Sequence, residues 1–241
     1  MATNNADGLW QPSGDPTYAN SLDKIVQGYI AAIIREPITY TRALKIRTKR
    51  VTLKPKPLKV LPSLFKGATC PPSCGACCIK FSLDWLPSDP RPDDNQTVMN
   101  EAVINNKSFA IFTDKQKGNE GHFCRHLDIM SGRCGIHGKH PFACDFEVIK
   151  FLHPFNSGHY TLTSRLFGRA WKMTQIDGTR GVKCEMLPAD EYWRQQLLRR
   201  LGRLNEWAEY LEVGPTYLDE VIPWVESGPH EEPIWIGKDT E

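Results

Sequence analysis

The most regular apolar pattern lies near the C-terminus, where Trp193, Leu197, Leu201, Leu204, Ala208 and Leu211 recur at alternating four- and three-residue steps. That period predicts a helix over 189–213 with one apolar stripe; Asp190 and Glu191 suit the positive end of its dipole and Gly214-Pro215 ends it. A second helix is expected from Ser21 to about Arg35, because Leu22, Ile25, Val26, Tyr29, Ile30 and Ile33 follow helical spacing and Pro37 stops it. Residues 44–51 alternate like a strand, and Pro55, Pro57 and Pro62 then predict an extended, non-central path. A Pro/Asp-rich loop begins at Asp84 and leads to a short helix expected over 95–109. Residues 146–151, 159–167 and 171–176 read as further strands, separated by the turn signals Asn156-Ser-Gly and Asp177-Gly.

These elements predict an α+β fold: an irregular, metal-stabilised cysteine-cluster domain with short antiparallel strands, braced by N- and C-terminal helices. Residues 1–20, rich in Gly, Pro, Asn and Asp, read as a flexible arm. Residues 21–69 hold the first helix and a basic extended segment, 70–188 the cysteine-cluster domain, and 189–241 a helix and acidic tail that pack on it.

The metal enters through the cysteines. Cys70, Cys74, Cys77 and Cys78 put four of the eight thiols of a 241-residue chain into nine positions. Cys124, Cys134 and Cys144 follow, the last two bracketing His137 and His140, and Cys184 stands apart. Packing cysteines are small buried hydrophobes and have no reason to cluster. Cys74-x-x-Cys77 is the short chelate of a metal loop, with Gly75 to relax the bend. Adjacent side chains such as those of Cys77 and Cys78 diverge, so the four thiols address more than one metal position. Cys124 and Cys134 are expected at the outer ends of a hairpin that turns near Asp128–Gly132, which would bring their sulfurs together.

Two kinds of site satisfy this count. An iron–sulfur cluster takes commonly about four thiolates, and a four-iron cluster leads among iron–sulfur types. Alternatively, two zinc ions take about four ligands each, for which His137, His140 and Cys184 are the candidates beyond the seven clustered thiols.

Charge changes the picture locally. The formal net charge is only +2, so no whole-molecule field for nucleic acid is implied. Residues 37–83 nevertheless contain no acid, while residues 204–241 carry ten acidic side chains against Lys238, so the basic stretch has an acidic partner within the chain. The segment 42–59 is the candidate surface if the partner is nucleic acid. The first residues have neither a basic n-region nor an apolar run, and no apolar run approaches a bilayer span of ~20 residues. A cytoplasmic, non-membrane protein is expected, and a reducing cytosol favours metal binding over disulfides.

Cys70-x3-Cys74-x2-Cys77-Cys78, then Cys124-Arg-His-Leu, then Cys134-Gly-Ile-His137-x2-His140-Pro141-x2-Cys144, resembles the cysteine-cluster proteins of the YkgJ type, zinc- or iron-chelating domains. The resemblance covers about residues 70–146 and continues weakly to Cys184, where relatives often place a further cysteine. His137 and His140 stand where that pattern usually has Tyr and Arg. The resemblance implies metal binding, and one branch, the flagellin lysine methylases, joins such a cluster to methyl transfer.

A metal-binding protein of unassigned role, acting with an unknown macromolecular partner, is therefore the leading expectation. An enzyme using the cluster for protein methyl transfer or redox chemistry is the second, although no residue pattern argues a reaction. A zinc-stabilised nucleic-acid binder is the third.

Overall fold

The computed structural model describes residues 26–43, 47–69, 73, 83–85, 89–91, 97–114, 124–142, 144, 149–152, 169–173, 185–187 and 189–238. The N-terminal arm, the strand expected over 159–167 and five of the eight cysteines (Cys70, Cys74, Cys77, Cys78 and Cys184) lie outside these residues.

The first described element, α1, is a π-helical turn Val26–Ile30 that continues as α-helix through Ala31–Ile33. Val26, Ile30 and Ile33 are fully buried, as their spacing predicts. The segment ends at Ile34, which bridges to Thr216, so the chain leaves the helix before Pro37.

Eleven strands follow among the described residues: β1 (Ile38–Ala43), β2 (Thr48–Leu53), β3 (Leu58–Val60), β4 (Gly67–Thr69), β5 (Asp84–Trp85), β6 (Thr97–Ile104), β7 (Lys107–Asp114), β8 (Ile149–Leu152), β9 (Arg169–Met173), β10 (Glu185–Leu187) and β11 (Ile234–Ile236). They form a five-stranded antiparallel sheet in the order β2-β1-β6-β7-β5, a four-stranded sheet β11-β3-β9-β8, and the pair β4-β10. The β3·β9 contact is parallel; the other strand pairs are antiparallel. The chain is α+β.

Two sequence expectations change. Residues 95–109 do not form a helix. They run into β6 and β7, a hairpin whose turn is Asn105-Asn106 with φ of 49° and 65°. Two successive left-handed residues make the turn whose twist matches a hairpin, and Asn tolerates that conformation better than most side chains. The Asn105 side chain also accepts from the Thr39 backbone N–H at 2.9 Å, which fastens the hairpin to β1. The path after Pro57 is also more central than expected, since β3 lies between β11 and β9 with Leu58 and Val60 fully buried. Pro55, Pro57 and Pro62 fall outside its three paired residues, so no ladder donor is lost.

The long helix, α2, spans Glu191–Tyr210 and starts where Asp190 caps it, accepting from the Trp193 backbone N–H. Its stripe Trp193, Leu197, Leu201, Leu204 and Ala208 is buried, together with Trp207. A shorter helix, α3 (Leu218–Glu226), packs on it. The main core joins α1, β1, β3, β9 and both C-terminal helices, whereas Leu83, Trp85, Cys124 and Leu127 form a second, smaller core.

Candidate metal centre

α2 holds three parts of the cysteine-bearing region in place along its length. At its start, the Trp193 indole donates to the Leu64 carbonyl at 3.1 Å and lies on Gly67, where a Cβ would meet the ring at 2.5 Å. This fixes β4, the strand that runs directly into Cys70. Midway, Arg203 forms an ion pair with the buried carboxylate of Asp89, and the same Asp89 oxygen accepts from the Phe142 backbone N–H at 3.3 Å. Phe142 is 1% exposed and packs edge-on to Tyr29 and against Trp207, which sets the chain two residues before Cys144. At its end, the Tyr210 hydroxyl donates to the Ala110 carbonyl of β7.

The second core gathers three thiols. Cys124 is buried within it, Cys144 packs against it half-buried, and half-buried Cys134 is bridged to Leu127, one of its members. The bridge is a single antiparallel contact, with Gly135 N–H donating to His126 O at 2.8 Å. Asp128 shapes the turn expected at 128–132: its carbonyl accepts from Gly132 at 2.7 Å, its side chain caps Met130 and Ser131, and Gly132 takes a φ of 70°. Cys134 thus faces Leu127, and Cys124 begins a turn of its own, with Leu127 N–H donating to Cys124 O at 3.0 Å. Cys134 heads a similar turn, closed by His137 N–H at 3.3 Å.

The environment of Cys124 disfavours a bare anion. Burial pushes its thiol from 9.0 up to about 11, and the charges of Asp114 and Cys134 add to the rise. The His126 backbone N–H, donating to the sulfur, and the Arg125 charge act in the opposite direction. A bare thiolate is costly there, but a metal cation offsets that cost and deprotonates the thiol outright. The soft thiol donors, one already receiving a backbone N–H, fit zinc or iron in thiolate coordination.

Residues 69–161 match the CxxCxxCC family model. That family is described as a putative zinc- or iron-chelating domain. Comparison with curated proteins and with solved structures finds no match. The CxxCxxCC match takes in seven of the eight cysteines and leaves Cys184 and all of α2 outside it.

His137 and His140 of the CxxCxxCC region lie together, rings 5.7 Å apart and edge to face, His137 exposed and His140 half-buried. Among the described residues no three Cys, His, Asp or Glu side chains converge on one ion position. Cys124, Cys134 and Cys144, the described thiols, make no such group with the other described residues.

β4 pairs with β10 so that Thr69, which precedes Cys70, lies opposite Glu185, which follows Cys184.

Sequence reasoning passed over two acids. Asp114 is 5% exposed at the end of β7, where its Oδ1 accepts from the Trp85 indole at 2.8 Å and its Oδ2 sits 3.1 Å from both Arg125 Nε and His126 Nε2. The Arg125 contact is close enough for charge attraction, and both contacts lie off the hydrogen-bond axis. Asp89 is the other, and each finds its partners only through the fold.

The described residues include no helix long and apolar enough to cross a membrane.

Proposed function

We propose that this chain is a metal-binding protein whose thiolate centre draws on Cys70, Cys74, Cys77, Cys78, Cys124, Cys134 and Cys144, with Cys184 joining them, and holds an iron–sulfur cluster or zinc in the cytoplasm. The observation that carries this reading is the Cys124 turn. A buried thiol faces an unfavourable field as a bare anion, yet receives a backbone N–H, and two further thiols flank the same small core. The family match supports zinc or iron as the metal. The Thr69–Glu185 pairing supports Cys184 as a member, because those two paired residues are the sequence neighbours of Cys70 and Cys184. Bound zinc would supply folding energy to the region, and an iron–sulfur cluster would supply an electron-transfer group.

The test is elemental and acid-labile sulfide analysis with an absorption spectrum on protein purified without oxygen. Iron with matching sulfide and a broad visible band identifies a cluster. About two zinc per chain without sulfide identifies a closed zinc site. Protein that is folded and free of both metals overturns the reading.

A second reading concerns the basic stretch. β2 is an edge strand whose Lys49 and Arg50 are exposed, while three acids of the stretch 204–241 pair outside 42–59, Asp219 and Glu220 with Arg35 and Glu212 with Lys107. That arrangement supports a nucleic-acid surface on 42–59. Binding that weakens with salt, and on neutralising Arg47, Lys49 and Arg50, supports it; no binding at low salt removes it.

A further inference from the structure

The buried acid Asp114 meets, through its side chain, residues around the second core. It ends β7, accepts from Trp85 on the neighbouring β5, and its N–H donates to the Leu83 carbonyl at 2.9 Å. Its second oxygen meets Arg125 and His126. These are the two central residues of the turn that Cys124 opens and Leu127 closes. One carboxylate therefore holds both side chains of that turn, and the turn aims the His126 backbone N–H at the Cys124 sulfur. The Trp85 ring, edge-on to the His126 imidazole with centroids 6.0 Å apart, closes the remaining side.

We infer that Asp114 is a positioning residue for the metal centre, a buried carboxylate that fixes the Arg125–His126 turn so that Cys124 presents its sulfur to the metal. Ligands of this kind are oriented by groups that never touch the metal, and loss of such a group typically costs about 10–100-fold in metal affinity. The cost of keeping Asp114 buried is met by Arg125 and by the Trp85 donor. The inference rests on the proposed thiolate centre.

Asp114→Asn keeps the shape and the acceptor for Trp85 but removes the charge that gathers Arg125 and His126. The measurement is the rate at which the purified, loaded protein loses its own metal to an excess of chelator, read beside cysteine-resolved alkylation by mass spectrometry. Asp114→Asn is expected to lose metal about 10–100-fold faster, with Cys124 becoming alkylated while Cys134 and Cys144 stay protected. Asp114→Glu should restore part of that protection. General destabilisation would raise alkylation at all three thiols together, and that result, or an unchanged rate of metal loss, overturns the inference. Wild-type protein that holds no metal at all would instead defeat the proposed centre, and the two failures are told apart by the wild-type metal content.

Discussion

Asp89 and Arg203, 114 residues apart in sequence, form an ion pair in which the carboxylate is almost wholly buried. The same carboxylate holds the Phe142 amide, and the Arg203 guanidinium lies 5.7 Å from the Phe142 ring centroid. The pair joins α2 to the segment that ends at Cys144. Removing one member takes the charge partner from the other in a buried setting, which costs about 3–5 kcal/mol. Arg203→Met is therefore expected to lower the denaturant midpoint sharply. It should also weaken metal retention, because Phe142 is released beside a thiol. The double variant Asp89→Leu/Arg203→Met, which removes both charges, should recover most of the stability; an Arg203→Met protein as stable as wild type would show that the pair is idle.

Gly67 and Trp193 make a second link, between β4 and α2. A methyl group at Gly67 would meet the indole at 2.5 Å, and Trp193 is 2% exposed with no room to retreat. Gly67→Ala is expected to cost about 1–3 kcal/mol, the usual range for overpacking a filled core. Because β4 leads into Cys70, the variant should also bind less metal per chain at equal folded fraction. The check is metal content on the folded, size-fractionated protein.

How much of this was legible in the chain depends on how far apart the partners are. α2 was readable because its stripe from Trp193 to Leu211 is a local period, and the observed ends fall within three residues of those expected. The metal region was readable because chelating thiols must be close in sequence or ordered in a tight series. The β6·β7 hairpin was missed because Asn105-Asn106 is a weaker turn signal than Asn-Gly, and the turn decides between helix and hairpin there. Asp89 and Asp114 were invisible as site residues: nothing near an acid in sequence marks it as buried, and their partners Arg203 and Trp85 come from other elements.

The raised pKa of Cys124 makes a prediction about the metal-free, reduced protein. A group whose folded pKa lies above its unfolded value adds stability at low pH and loses it as pH rises through the folded value. From 9.0 to about 11 that loss is on the order of 3 kcal/mol, confined to the window between those values. Tyrosines and lysines titrate nearby, so the comparison is with Cys124→Ala. Urea unfolding from pH 8 to pH 11 should show wild type losing stability relative to the variant; parallel curves would mean that the thiol is not held in a hostile site. Loaded protein should lack this window, since a metal-bound sulfur carries no proton to lose.

Cys184 gives the last prediction and the one that extends the centre beyond the matched family region. A lone cysteine far along a chain is ordinarily a packing residue, and Cys184→Ser would then alter neither metal nor solubility. The β4·β10 register argues otherwise. Thr69 and Glu185, the sequence neighbours of Cys70 and Cys184, face one another across that pair. Cys77→Ser and Cys134→Ser are expected to lower bound metal and solubility together, and Cys184→Ser should lower metal content in the same assay. Retention of full metal by Cys184→Ser alone would return that residue to packing. Retention by Cys77→Ser as well, with normal stability, would mean that the thiol cluster is not the metal site.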